Sequence, residues 1–168
     1  MSKLRSAVRK LCRFGIVGLI CGLTLVGGTA KATPHEDTLT SAQVQQLVSN
    51  YYAAVRSLDP GLYASKFAVD GSLQDPVGTP PSNGRPAIEA TYAGAPAAFS
   101  AINMFPAQVF TPDLTNEAAV LWTATVQVRG SGLISNQFSG ITYFKFHNNG
   151  LIGSARVFWN PSDITFNP

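Results

Sequence analysis

Cysteine is nearly absent: Cys12 and Cys21 are the only two, and both fall within residues 1–32. If that segment is removed, a disulfide framework, a thiol nucleophile and a cysteine-ligated metal are excluded together. Histidine is as scarce. His35 and His147 stand 112 residues apart, which gives no basis for a two-histidine metal site or a Ser-His-Asp triad. No glycine-rich phosphate loop follows a strand pattern. No basic run with interleaved aromatics follows residue 32. Acidic residues are missing from residues 1–32, which hold six of the 12 Lys and Arg. The other 136 residues carry six basic and nine acidic side chains, a net charge of −3. The whole-chain charge of +3 and pI near 9.0 therefore give no support for a nucleic-acid partner. A composition 45% hydrophobic and 12% charged excludes a disordered chain. The 136 residues fit one domain with its own core. They are too few for a dinucleotide domain plus a substrate domain.

What is present begins with an address. Residues 1–13 are basic, and residues 14–28 form an uncharged, apolar run of 15. Ala30-Lys31-Ala32 follows as a small-x-small site before Thr33. This order predicts a cleavable secretory signal over 1–32. At about 1.5 Å per residue the run falls short of the roughly 20 residues that span a bilayer, so no stable membrane anchor is expected after cleavage. The expected product is exported, to a periplasm or the medium, with its N-terminus at Thr33. Residues 33–40 read as a short linker, and 41–168 as the domain.

The domain reads as helices first, then strands. Thr40 and Gln43 form a capping box, with Leu39 and Val44 as a hydrophobic staple. Val44, Leu47, Val48, Tyr51, Val55 and Leu58 then follow helical spacing and put Tyr51 on a buried face. Asp59-Pro60 caps and opens a second helix, running to about Phe67. A turn-rich stretch over 70–84 contains one extended piece, Leu73 to Val77. Gly84-Arg85-Pro86 opens a third helix ending near Gly94. Beyond residue 100 the period becomes two. Val120, Trp122, Ala124, Val126 and Val128 share one face, and Phe138, Gly140, Thr142, Phe144 and Phe146 alternate likewise. Asn148-Asn149-Gly150 is a tight hairpin leading into Leu151 to Trp159. Helices followed by an antiparallel meander define an α+β class.

The chemistry centres on Asp75, in Leu73-Gln74-Asp75-Pro76-Val77. Leu73 and Val77 share its strand parity, so an inward carboxylate with a raised pKa is one reading, suited to a general base beside a carbonyl. A surface turn aspartate before proline is the other. Tyr51 reads equally as a core tyrosine whose hydroxyl finds a partner. Tyr52 is expected to face elsewhere, toward a partner subunit.

Residues 51–92 add a resemblance. It is carried by Tyr51-Tyr52-Ala53-Ala54-Val55, Leu58-Asp59, Phe67-Ala68-Val69-Asp70 and Gln74-Asp75-Pro76-Val77-Gly78-Thr79-Pro80, which match the family's pattern without a gap. Gly84, Ala87-Ile88 and Tyr92 continue the pattern, and Asn116 to Ala119, Phe144 to Phe146 and Arg156 extend it. Together they resemble the ketosteroid isomerase-like, SnoaL-like branch of the nuclear transport factor 2-like superfamily. The resemblance implies a cone of three N-terminal helices packed on a curved, mostly antiparallel sheet, usually a homodimer. It implies Asp75 as proton-shuttling base, Tyr51 as donor to the enolate oxygen, and Tyr92 as a second tyrosine bonded to the first. Trp159, Trp122 and Phe144 are implied as pocket wall. The family pairs its tyrosine with a protonated aspartic acid. In Gly140-Ile141-Thr142-Tyr143-Phe144, Thr142 holds that place as a weaker donor. The expected ligand is a small apolar carbonyl compound, with no cofactor and no metal. Steroid isomerisation, cyclase or dehydratase chemistry on a polyketide-like substrate, and a non-catalytic binding or dimerisation module all remain open.

Overall fold

The computed structural model describes residues 38–112 and 115–166. The expected signal segment and most of the linker lie outside the described residues. Helix α1 spans Ser41–Ser57. The Thr40 hydroxyl oxygen accepts from the Gln43 N–H at 3.3 Å, while the Thr40 N–H donates to Gln43 Oε1 at 2.8 Å. Two otherwise orphaned donors are thereby satisfied. The helix stops at Leu58, which takes a left-handed φ of 57°. Its buried set is Val44, Val48, Tyr51, Tyr52, Ala54 and Val55. This arc is wider than one stripe, because the sheet curves around the helix. Tyr52 is therefore a core residue with no exposed surface, which corrects the expectation that it faces a partner.

Helix α2 is Pro60–Ala64, capped by Asp59 accepting from the Leu62 N–H at 2.9 Å. It ends short of Phe67, because the Lys66 carbonyl is taken by the Ile152 N–H at 2.9 Å and the chain joins the sheet. Helix α3 is Arg85–Tyr92, followed by the short α4, Gly94–Ala98.

The sheet contains β1 Phe67–Gln74, β2 Ser82–Asn83, β3 Phe99–Phe110, β4 Glu117–Val128, β5 Phe138–Phe146 and β6 Ile152–Phe158. Their order is β2-β1-β6-β5-β4-β3. Only β1 and β6 pair in parallel; the other neighbours are antiparallel. The architecture is the expected α+β cone. The extended piece expected at Leu73 to Val77 is instead the end of the eight-residue β1, and Asp75 lies just beyond it. Gly71 permits this pairing: a Cβ there would sit 2.8 Å from the Ile152 carbonyl.

Period-two alternation divides β4 and β5 into two faces. Val120, Trp122, Ala124, Phe138, Thr142 and Phe144 point inward and are buried. Each fully buried large apolar side chain of this kind contributes roughly 1.5–3 kcal/mol. Gly140 stands opposite Trp122, and a Cβ there would collide with the indole ring and come within 2.6 Å of the Phe158 carbonyl. Leu121, Ile141 and Phe158 form one cross-strand row on the outer face, exposed to solvent.

Candidate active site

Parallel strands bring their C-terminal ends to the same edge of a sheet. Gln74 is in register with Arg156, so Asp75 just past β1 and Trp159 just past β6 emerge side by side. The Trp159 indole N–H donates to Asp75 Oδ1 at 2.6 Å. That bond engages one carboxylate oxygen. Asp75 keeps accessible surface, yet protein packed about its carboxyl withholds water. Loss of water raises its pKa above the usual carboxylate range, and the Trp159 hydrogen bond partly opposes the rise.

Behind Asp75 lies a cluster of tyrosines. The hydroxyls of Tyr51 on α1 and Tyr63 on α2 are 3.0 Å apart. Both side chains are buried, and burial pushes both hydroxyls well above the usual phenol range. The Asp75 charge raises Tyr51, Tyr52 and Tyr63 alike, so the carboxylate and the three phenols share one electrostatic neighbourhood. The Tyr51 ring packs edge-on against Phe144, centroids 4.9 Å apart.

Tyr92 does not bond Tyr51, which corrects the expected pairing. Its hydroxyl donates to the Val55 carbonyl and its ring stacks on Tyr63 at 4.2 Å. Half-buried, its pKa is pushed up to about 12 by loss of water. Tyr63 therefore holds the place beside Tyr51, and Tyr92 props Tyr63. Sequence reasoning missed Tyr63, because the segment after Asp59-Pro60 is too short for its spacing to single out a face.

Thr142 sits on the inner face of β5, sealed from solvent. Its oxygen accepts from the Tyr52 hydroxyl at 3.3 Å and from the Trp122 indole N–H at 3.0 Å. Trp122 has no exposed surface, and its ring meets Phe138, which in turn meets Trp159. A line of aromatics thus joins Thr142 to Asp75. The structure brings Asp75 against Trp159 and packs Tyr51 on Phe144. Phe144, Tyr51, Thr142 and Trp122 are all sealed in the core.

These groups can take a proton at one carboxylate oxygen and offer uncharged phenolic O–H groups to a nearby oxygen. Among the described residues, no cluster of three or more His, Cys, Asp or Glu side chains could hold a metal.

Comparison with known proteins agrees with the fold. The profile of the nuclear transport factor 2 (NTF2) domain matches residues 43–166. The chain is 29% identical over 128 residues to a steroid Delta-isomerase of Nocardioides simplex, covering 76% of this chain and 98% of that protein. Two solved structures share the fold. One is SalBIII, an epoxide hydrolase/cyclase-like enzyme of pyran ring formation in the polyether salinomycin. It has a TM-score of 0.65 at 21% identity, covering 75% of this chain and 97% of that one. The other is a computationally designed 17-OHP binder, with a TM-score of 0.63 at 20% identity, covering 74% and 98%.

Proposed function

The chain belongs to the nuclear transport factor 2 domain family, in its ketosteroid isomerase-like and SnoaL-like part, and from that membership we propose that it moves a proton beside the carbonyl of a small apolar ligand. The observation that carries this reading is the desolvated Asp75 carboxyl, held by the Trp159 N–H at 2.6 Å, in the same electrostatic neighbourhood as the buried Tyr51–Tyr63 pair. The Trp159 N–H holds Oδ1, so Oδ2 takes the proton from the carbon next to the carbonyl. The electron pair of that C–H bond moves toward the carbonyl oxygen, which becomes an enolate. The Tyr51 O–H donates to that oxygen. Each hydroxyl has one proton, so Tyr63 must then donate to Tyr51. Their raised pKa values keep both phenols protonated, as donors must be. Asp75 returns the proton at a second carbon, and the double bond has shifted with atoms and electrons balanced.

A Δ5-3-ketosteroid, whose product absorbs as a conjugated enone, tests the reading. General-base catalysis is worth about 10²–10⁴-fold, so Asp75→Ala should lose that much of the rate. Equal rates in wild type and Asp75→Ala would overturn it. One observation favours a binding module instead: the hydroxyls of Tyr51 and Thr142 already have protein partners. Saturable steroid binding without turnover would establish that role.

We infer also that the outer sheet face seats a second copy of the chain. Phe105, Phe110, Leu121, Ile141 and Phe158 are each 38–52% exposed there. They present on the order of 400 Å² of apolar surface, as much as a typical monomer's largest patch. That is about half the ~800 Å² per partner of a standard interface. Glu117 and Lys145 pair with each other at 3.3 Å, so they bring no net charge to the contact.

A further inference from the structure

We propose that the end of the sheet remote from Asp75 carries a second binding site, a groove of amide N–H donors with one cation, which takes a singly charged, acceptor-rich ligand of the sugar-acid class. The site is separate from the proton-transfer reading above. Lys66 precedes β1 and Asp75 follows it, so the eight-residue strand holds them apart by roughly 25 Å at about 3.3 Å per residue.

The groove lies where the turn between β5 and β6 rests on α1. Two hollows of about 320 Å³ and about 240 Å³ adjoin there and share Leu47, Asn149 and Gly150. Gln43 and Asn148 line the larger, Lys66 the smaller. Together they reach the size of small-ligand sites, roughly 300–1,000 Å³. Gly150 lets the turn come this close. It takes a left-handed φ of 80°, and a Cβ there would stand 3.2 Å from the Leu47 side chain. Gln43, Asn148 and Asn149 are exposed, so a ligand from solvent reaches them without any opening of the core.

Which end of each amide faces the groove follows from its partners. A side-chain amide has one acceptor oxygen and one NH₂ with two donors. The Thr40 N–H, which can only donate, takes the Gln43 oxygen at 2.8 Å. The Leu151 N–H takes the Asn149 oxygen at 3.1 Å. The Leu39 N–H takes the Asn116 oxygen at 2.8 Å, which leaves Asn116 its NH₂, and that donates to the Asn148 oxygen at 2.5 Å. Backbone donors thus fix all three amides, directly or through Asn116. Their NH₂ groups are left over, and none of the described residues accepts from them. Lys66 is half-buried and forms no ion pair among the described residues. No described Asp or Glu lines either hollow, although residues 33–168 carry a net charge of −3. The groove is therefore rich in donors and poor in acceptors. One ammonium matches one negative charge, and hydrogen bonds to a charged group are the stronger kind. Three neutral NH₂ groups match uncharged oxygens such as hydroxyls. Leu39 and Leu47 add apolar surface for C–H groups. A sugar carboxylate combines these features, whereas inorganic phosphate offers no hydroxyl-bearing, C–H-lined body.

The test titrates the ¹⁵N-labelled protein with sodium glucuronate, methyl glucoside and inorganic phosphate, and follows the side-chain NH₂ signals by nuclear magnetic resonance. Glucuronate should shift the Gln43, Asn148 and Asn149 signals saturably. Methyl glucoside, which lacks the charge, should bind about 10- to 100-fold more weakly, the range for one charged hydrogen bond. Lys66→Gln should weaken glucuronate by the same factor. Gln43→Glu and Asn148→Asp keep the oxygen that accepts from Thr40 or Asn116, so the helix cap and the turn persist, but each turns a donor into a charged acceptor. Either should weaken glucuronate at least about tenfold. Gln45→Glu makes the same charge change on α1 outside both hollows and should stay within about threefold, since exposed charges are screened. Unchanged melting temperatures show that the variants are folded. Asp75→Ala should bind glucuronate as wild type does, whatever it does to turnover. No saturable shift of the three NH₂ signals overturns the proposal. So does equal weakening by Gln43→Glu and Gln45→Glu, which would reduce the effect to net charge. Phosphate binding as tightly as glucuronate overturns the sugar-acid assignment, and loss of glucuronate binding in Asp75→Ala overturns the separate site.

Discussion

Strands β4 and β5 present two faces built on one alternation and used in opposite ways. On the inner face, Trp122, Thr142, Phe138 and Phe144 are sealed, and each polar atom there has a partner. On the outer face, Leu121 and Ile141 lie side by side, apolar and uncovered. The inner face shows how a polar network survives burial: Tyr52, Trp122 and Thr142 satisfy one another, and only a proton is left over. The outer face shows that hydrophobicity alone does not mark a core. Position along the strand decides which apolar residue is buried and which is left exposed.

Adjacent residues give the largest test of that difference. Trp122→Ala should destabilise by about 3–5 kcal/mol, the range for large aromatics cut from a core. Leu121→Ala, one residue away on the exposed face, should stay within about 0.5 kcal/mol if the chain is monomeric. Urea denaturation midpoints measure both, and similar losses would erase the distinction. Thr142→Val comes next. It keeps the shape but leaves the Tyr52 O–H and the Trp122 N–H without acceptors, so a loss of about 1–3 kcal/mol is expected. Thr123→Val on the outer face should change little by the same measurement. Ile141→Lys should shift sedimentation from dimer to monomer with little change in the unfolding of the monomer. An unchanged sedimentation coefficient would remove the outer face as an interface.

The smallest effect is electrostatic. Asp75 has a raised pKa in the fold, so the folded state holds its proton more tightly than the unfolded chain does. Stability from this group is fully present below the unfolded value, near 3.9, and declines as pH rises through the raised folded value. Asp75→Asn keeps an acceptor for the Trp159 N–H and removes the charge. It should melt at or above the wild-type temperature at pH 7, with the advantage disappearing at pH 3.5. If Asp75 is the base, kcat/KM should rise with pH through the same raised value. A midpoint near 4 in either curve would mean that Asp75 is not desolvated.

The sequence revealed more of the frame than of the wiring. Thr40 and Gln43 announced the start of α1 because a capping box is local chemistry, complete within four residues. The Asn148-Asn149-Gly150 turn was legible for the same reason, with Gly150 at a φ of 80°. Alternation gave β4 and β5. Strand β1 was misplaced because its register depends on β6, some eighty residues away, and on the close approach allowed at Gly71. The site divides along the same line. Spacing and resemblance led to Asp75 and Tyr51, and to Trp159 near them. Tyr63, Tyr52 and the true partner of Tyr92 were hidden, since hydroxyl pairing is decided by how three helices lie against a sheet. A helix wrapped by a curved sheet buries neighbours such as Tyr51 and Tyr52 together, which a single-stripe reading assigns to opposite environments.

The strand order sets a timetable for the molecule. Of the six described strands β6 is the last in chain order, yet it lies inside the sheet, between β1 and β5. Before it inserts, β1 has only the two-residue β2 beside it, and Asp75 has no Trp159 to hold it. A nascent chain carries its tyrosines and its carboxylate but not yet a binding wall. The contact that holds Asp75 therefore forms only when β6 has docked, together with the long-range pairing of β1 and β6.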